Sequence, residues 1–143
     1  MTRLYALAAA AILSCGSAQA MTQQEACIAR AIYWEARGTS EAGMRAVAEV
    51  IHNRVRHPAF PKTPCAVVYQ RLGGVCQFSW ACTHARNVTP PNNASWAAAR
   101  RIAMQPPGCL TNGAIYFREK SRRWSHLEQV AEIDNHVFYM ERK

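Results

Sequence analysis

Apolar residues recur at three- and four-residue spacing in three stretches of the chain, which is the pattern of amphipathic helices. The predicted helices cover 24–37, 41–56 and 96–104. Thr39 or Ser40 is placed to cap the second helix and Ser95 the third, because small polar side chains bind free backbone N–H groups there. Glycine or proline follows each stretch, and both residue types end helices.

The pattern changes to short aromatic and β-branched runs in the last third of the chain. Three strands are predicted at 114–118, 129–133 and 136–140. Asp134 and Asn135 separate the last two runs and predict a tight hairpin turn. Helices followed by a small antiparallel sheet define an α+β domain. Because the chain has only 143 residues and no internal boundary, we expect a single domain.

The first twenty residues have the composition of a targeting segment. Arg3 precedes a short apolar run, and Ala18 and Ala20 form a small-x-small cleavage site. This predicts a signal peptide at 1–20, a mature domain at 21–143 and an exported protein, periplasmic or extracellular. The apolar run is too short for a membrane span. A lipid anchor on Cys15 is the alternative.

Cysteines are numerous for a chain of this size. Six are present, and Cys15 would leave with the signal peptide. The remaining five are Cys27, Cys65, Cys76, Cys82 and Cys109. In an oxidising compartment such residues form disulfides, here two bridges and one free thiol, with the pairing open. The alternative is a zinc site at Cys76, Cys82 and His84, whose spacing does not match common zinc motifs.

The chain is basic, with a formal net charge of +8, or +7 once Arg3 is removed with the signal peptide. Nucleic acid, anionic lipid and acidic cell-wall polymer are all compatible with this charge. Only nine carboxylic side chains are present, so candidates for an acid catalyst are few. A basic run surrounds Glu119, and we expect it to be a solvated face. It consists of Arg118, Lys120, Arg122 and Arg123.

Glu35 is the carboxyl whose surroundings favour acid catalysis. It lies in the last turn of the first predicted helix, where the helix dipole disfavours a negative charge. Neighbouring Tyr33 and Trp34 could desolvate it, and both effects raise a carboxyl pKa towards neutrality. Arg37 would lower that pKa if it reached the carboxylate. A lone solvated glutamate is the alternative interpretation.

Residues 33–38 resemble the Tyr-x-Glu-Ala-Arg-Gly signature of the cell-wall hydrolase family named after the spore-cortex-lytic enzyme SleB. Further segments are similar to that family in the same order, and the similarity covers nearly all of 25–140. These segments lie at 43–55, 60–70, 76–82 and 136–139. The resemblance implies a lysozyme-like fold and cleavage of the bond between N-acetylmuramic acid and N-acetylglucosamine in peptidoglycan.

The resemblance also implies a mechanism. Glu35 would protonate the glycosidic oxygen and then accept the proton of the C6 hydroxyl as that oxygen attacks C1, giving a 1,6-anhydro sugar. No cofactor and no second carboxylate are needed when the substrate supplies the nucleophile. Hydrolysis by water, as in a muramidase, is the alternative. Two departures from the family stand near this site: Thr39 replaces a frequent glutamate, and 115–117 lacks a His-Tyr-His type strand.

Substrate contacts are expected from polar and aromatic residues around Glu35. Gln77 and Ser79 could bind sugar N-acetyl and hydroxyl groups, and Trp80 could stack on a ring. The same loop could instead be a disulfide-pinned part of the core. The other predicted substrate-binding residues are Tyr116, Trp34 and Arg37, and Trp124 is a further sugar platform or packing residue.

Two other classes of protein compete with this interpretation. A metal-dependent wall amidase would use some of the five histidines, which are His52, His57, His84, His126 and His136. No His-Glu-x-x-His motif occurs among them. A non-catalytic module that binds wall polymer or nucleic acid would need only charge and aromatic residues. For the favoured interpretation we expect a monomer that binds peptidoglycan glycan strands and no nucleic acid.

Overall fold

The computed structural model describes residues 19–142, so nearly all of the predicted signal peptide, with Cys15, lies outside the described residues. The described part contains four α-helices and two small antiparallel sheets. The helices are α1 (Gln23–Ala36), α2 (Glu41–Arg56), α3 (Pro64–Val68) and α4 (Ala94–Ala103). The strands are β1 (Arg71–Leu72), β2 (Val75–Cys76), β3 (Tyr116–Glu119), β4 (Glu128–Ile133) and β5 (His136–Met140). The predicted α+β class is confirmed.

Helices α1 and α2 begin and end close to the predicted positions. Thr22 and Glu25 form a reciprocal capping box at the start of α1. Gly38, with a φ of +87°, turns the chain after α1 in a conformation that favours glycine. Ser40, one of the two predicted caps, accepts a hydrogen bond from the Gly43 N–H at the start of α2.

The predicted cap of α4 is wrong. Asn93, not Ser95, accepts the hydrogen bond from the Trp96 N–H at 2.9 Å, so the helix begins at Ala94. Asparagine caps helices as well as serine does, and Asn93 lies two residues before Ser95, close behind the prolines that prevent helix. The strand predicted at 114–118 also shifts, since β3 covers Tyr116–Glu119 and leaves Ala114 and Ile115 in the preceding segment.

The core lies between α1, α2, α3 and α4. Ile28 and Ile32 of α1 and Val47 and Ile51 of α2 are at most 2% exposed. A second face of α2 packs on the sheet, where Ala46 and Val50 meet Ala114 and Phe138. Helix α2 is therefore the element that joins the helical part of the domain to the sheet.

The larger sheet has the strand order β3-β5-β4, with both pairs antiparallel. Strand β5 is therefore central although it comes last in the chain. Val137, Phe138 and Tyr139 in this strand are at most 1% exposed. The turn at Asp134 and Asn135 connects β4 to β5 as predicted, and Asp134 binds the Ser40 backbone N–H and hydroxyl at the start of α2.

Two disulfides join the cysteine pairs that the sequence leaves open. Cys27 of α1 is bonded to Cys65 of α3, and Cys76 is bonded to Cys82 across six residues. Cys109 is free and exposed. Because Cys76 and Cys82 are bonded to each other, their sulfurs are not thiolate ligands for a metal, and the zinc alternative is wrong.

Candidate active site

A groove of about 490 Å³ lies between the end of α1 and the outer strand of the larger sheet. Glu35 of α1 and Arg54 of α2 reach it from the helical side. The loop after β2 forms a second wall with Gln77, Phe78 and Ser79. The opposite wall consists of Tyr116, Phe117, Arg118, Glu119, Arg122, Trp124 and His136. The groove thus combines ionisable, polar and aromatic side chains from distant parts of the chain.

Glu35 has a pKa raised to about 7, mainly because the carboxyl is largely buried. The positive charge of Arg54 acts in the opposite direction, and the negative charge of Glu119 adds to the increase. The raised pKa agrees with the expectation for Glu35, but the charged residues that act on it are not the expected ones. The opposing arginine is Arg54 rather than Arg37, which does not line the groove.

Arg37 and Trp34 form an aromatic cluster beside the groove instead of lining it. The Arg37 guanidinium lies 4.9 Å from the centre of the Trp34 ring and 5.3 Å from that of Tyr33. The Trp34 ring stacks on Trp80 at 6.5 Å. Neither Trp34 nor Arg37 lines the groove, so the structure does not bring them together with Glu35 there.

The loop after β2 places its residues on different sides. Gln77 and Ser79 line the groove, whereas Trp80 is only 6% exposed and packs in the core. Residues Ser79–Cys82 form a 3₁₀ helix, in which consecutive side chains point about 120° apart. The Cys76–Cys82 disulfide closes this turn, and Trp80 therefore faces inward. Among the predicted substrate-binding residues, Gln77, Ser79 and Tyr116 share the groove with Glu35.

Arg54 is a groove residue that the sequence analysis did not identify. It is 4% exposed, its Nε donates to the Ile115 carbonyl at 2.7 Å, and its guanidinium lies 5.3 Å from the ring centres of both Phe60 and Phe78. Its Nη1 is buried without a hydrogen-bond partner among the described residues. An arginine on the apolar stripe of α2, three residues after Ile51, is the signal that could have revealed it.

Glu119 and His136 were also missed as groove residues. They are paired across β3 and β5, and both line the wall opposite Glu35. Burial lowers the pKa of His136, which favours the neutral ring near pH 7. Its buried Nδ1 has no hydrogen-bond partner in the part of the chain that the structure describes. Glu119 supplies a second carboxyl, which the implied mechanism did not require.

The basic run around Glu119 divides into two pairs with different neighbours, and Arg122 and Arg123 in it are exposed to solvent. Lys120 and Arg123 form ion pairs with Glu132 at 3.0 and 2.7 Å, outside the groove. Arg118 and Arg122 line the groove. The Arg118 Cζ lies 4.4 Å from the centre of the Trp124 ring, which also borders the groove.

Neither a metal-binding cluster nor a membrane-spanning helix occurs within residues 19–142. In this range no three or more histidine, cysteine, aspartate or glutamate side chains cluster closely enough to hold a metal ion. None of the helices in the same range is sufficiently long and apolar for a bilayer crossing.

The fold and the groove define a small α+β domain with one largely buried carboxyl whose pKa lies near neutrality. Comparison with known proteins gives the family. The Cell Wall Hydrolase family matches residues 38–139, and this chain belongs to that family. A spore cortex-lytic enzyme of Halalkalibacterium halodurans is 31% identical over 116 residues. The match covers 78% of this chain but only 33% of that protein.

Two solved structures share the fold. The catalytic domain of the Bacillus cereus SleB protein superposes with a TM-score of 0.63 at 26% identity, covering 85% of this chain and 93% of that chain. The catalytic domain of the germination-specific lytic transglycosylase SleB from Bacillus anthracis gives 0.64 at 28% identity, covering 83% and 96%. These matches confirm the lysozyme-like fold and the family resemblance.

Proposed function

We propose that this protein cleaves the bond between N-acetylmuramic acid and N-acetylglucosamine in peptidoglycan, as a lytic transglycosylase with Glu35 as its single acid and base. The observation that carries the proposal is the Glu35 carboxyl, largely buried in the groove with a pKa of about 7. Near neutral pH such a group is partly protonated, so it can donate a proton and accept one later. The SleB catalytic domain of Bacillus anthracis, one of the structural relatives, is described as a lytic transglycosylase, which supports the same reaction class.

The reaction has two proton transfers and one intramolecular attack. Glu35 gives its proton to the glycosidic oxygen as the C1–O bond breaks, and the leaving sugar departs as an alcohol. The resulting Glu35 carboxylate takes the proton of the muramyl C6 hydroxyl, whose oxygen forms the new bond to C1. The product carries a 1,6-anhydro ring, Glu35 is protonated again, and no water is consumed.

Hydrolysis is the second candidate, and Glu119 is the observation that favours it. Glycosidases that use water or an enzyme nucleophile employ two carboxyl groups across the scissile bond. Glu119 lines the same groove as Glu35 and its charge acts on Glu35. In this mechanism Glu119 would activate a water molecule or attack C1, and the product would have a reducing end.

The two candidates are separated by digestion of purified sacculi followed by mass spectrometry of the released fragments. Anhydro ends support the transglycosylase, reducing ends support the hydrolase, and free stem peptides would indicate an amidase and contradict both. Glu35→Gln should abolish all cleavage. Activity that disappears with a chelator would favour a metal-dependent enzyme, and wild-type binding without cleavage would favour a wall-binding module.

We also propose that residues 1–20 are a signal peptide removed after Ala20 and that the mature domain acts as a monomer outside the cytoplasm. The two disulfides support export, because such bonds persist in oxidising compartments. The sequence of the mature N-terminus and the sedimentation mass of the purified protein test these points. A mature N-terminus at Cys15 that carries lipid would contradict cleavage after Ala20 and would show a lipid-anchored protein.

A further inference from the structure

The positive charges around the groove are distributed unevenly between paired and unpaired side chains. Lys120 and Arg123 are neutralised by Glu132 on the outer side of the segment. Arg118 and Arg122, from the same segment, line the groove and form no ion pair among the described residues. Within one segment, therefore, the outer pair of cations has a carboxylate partner, whereas the pair in the groove has none among the described residues.

Arg54 adds a buried cation on the helical side of the groove. It is 96% buried, since only 4% is exposed, yet its Nη1 has no hydrogen-bond partner in the described residues. The Nε bond to the Ile115 carbonyl and the two flanking phenyl rings hold the guanidinium in place. An unpartnered buried charge is costly, and an acceptor atom on a ligand would offset that cost.

The carboxyls in the groove do not balance these arginines. Glu119 is one, and Glu35 is partly protonated at neutral pH. The groove therefore keeps an excess of positive charge in the same place where the proposed substrate would lie. The sugar rings of peptidoglycan are neutral, whereas its 3-O-lactyl branch carries carboxylates.

We propose that Arg118 and Arg122, together with the unpartnered Nη1 of Arg54, select a carboxylate on the 3-O-lactyl branch of the muramyl residue. The inference rests on the proposed function, because it assumes a glycan strand in this groove. The carboxylate can come from two sources that share this chemistry. One is the lactyl group itself, free where the stem peptide has been removed, and the other is an acidic residue of an attached stem peptide.

The test measures binding to the cleavage-deficient Glu35→Gln protein by calorimetry, so that it does not depend on turnover. The first probe is the GlcNAc–MurNAc disaccharide with a free lactyl carboxylate, and the second is the same disaccharide as its neutral lactamide. The third is the disaccharide with an acidic stem peptide, and the fourth carries that peptide with all carboxyls amidated. We expect the preferred acidic probe to bind about tenfold or more tightly than its neutral counterpart, as a charged hydrogen bond implies.

Matched variants show whether the groove arginines cause this preference. Arg122→Gln and Arg118→Gln should each reduce the difference between acidic and neutral probes about tenfold, while neutral-probe affinity stays the same. Arg123→Gln removes the same charge from the same segment outside the groove and should preserve the difference. Thermal unfolding of each variant verifies that the domain is folded.

Each outcome decides one question. A preference for the free lactyl probe identifies the first source and a preference for the acidic peptide the second, and both support the inference. Equal binding of acidic and neutral probes overturns it. An equal loss in Arg123→Gln and Arg122→Gln also overturns it, because general charge attraction would then explain the binding. If the preference is found but wild-type protein cleaves no glycan, only the proposed function fails.

Discussion

Arg54 and Glu35 share the groove, and the guanidinium holds the pKa of the Glu35 carboxyl below the value that burial alone would produce. Glu119 acts in the opposite sense from the facing wall. The protonation state of Glu35 therefore depends on two charges from separate elements, α2 and β3. Either charge can be removed without altering Glu35 itself.

Replacing Glu119 with glutamine should move the pH dependence of cleavage. Because the negative charge of Glu119 raises the Glu35 pKa, its removal lowers that pKa, and Glu35 loses its proton at lower pH. The alkaline limb of kcat/KM, which we expect near pH 7 in the wild type, should shift to lower pH. The measurement is kcat/KM on soluble glycan strands between pH 4 and 9.

Arg54→Gln is the complementary variant, since removal of the positive charge raises the Glu35 pKa and should move the same limb to higher pH. Glu128→Gln, on β4 outside the groove, serves as a charge control with an unchanged profile. A shift in the same direction for Glu119→Gln and Arg54→Gln would contradict the assignment of Glu35 as the titrating acid.

Glu35→Gln should abolish cleavage and stabilise the domain at alkaline pH. The folded-state pKa of about 7 is higher than the unfolded value of 4.5, so folded protein binds the proton more tightly. Ionisation of the buried carboxyl therefore destabilises the folded wild-type protein. This loss of unfolding free energy is absent below pH 4.5, grows between pH 4.5 and 7 and is constant above, reaching on the order of 3 kcal/mol. The measurement is urea unfolding of Glu35→Gln and of the wild type at pH 4 and at pH 8. The difference in unfolding free energy between the two proteins should be larger at pH 8 than at pH 4 by this amount. An advantage independent of pH would argue against the buried carboxyl.

The two disulfides should have separable effects on stability and activity. Cys27–Cys65 closes a separation of 38 residues, and its removal by a double serine substitution should cost about 4 kcal/mol in the chain-entropy picture. Cys76–Cys82 closes a separation of 6 residues and should cost about 2 kcal/mol. The shorter bridge holds the loop with Gln77 and Ser79, so its loss should raise KM more.

Chemical denaturation and steady-state kinetics measure the two effects in the same proteins. Cys109→Ser is the control, since this exposed thiol is in neither bridge and its replacement should alter neither property. A larger rise in KM for the Cys27–Cys65 double variant than for the Cys76–Cys82 one would show that the loop does not depend on its own bridge.

Glu49 should be a stabilising residue of α2. Its carboxyl is 2% exposed and accepts hydrogen bonds from the Leu110 N–H at 3.0 Å and from the Thr111 N–H and hydroxyl at 2.9 and 3.0 Å. Glu49→Gln removes one acceptor oxygen and the charge, and we expect a loss of about 1.5–3 kcal/mol in unfolding free energy.

The matched control is Glu41→Gln on the same helix. Glu41 is exposed and pairs with Arg45 and Arg101 at the surface, where ion pairs contribute little. Its replacement should reduce stability much less than Glu49→Gln does. Similar losses in urea unfolding would show that the buried hydrogen bonds of Glu49 are not what anchors the segment around Thr111.

The local pattern predicted the helices well because α1 and α2 carry apolar residues at helical spacing and have strong end signals. It predicted the groove less well, since the direction of a side chain depends on distant contacts. Trp80 faces inward because of a 3₁₀ turn closed by a disulfide, which the spacing of the loop does not reveal. Arg54 lies in the last turn of α2, where an arginine also suits the helix dipole, so its position in the sequence does not reveal its burial.

The position of β5 has a consequence for synthesis of the protein. Strand β5 is the middle strand of its sheet but occupies His136–Met140, after every other element. A nascent chain that ends before position 136 leaves β3 and β4 without their shared neighbour and the groove without His136. The pairing of β3 and β4 into one sheet therefore waits until the last strand has been synthesised.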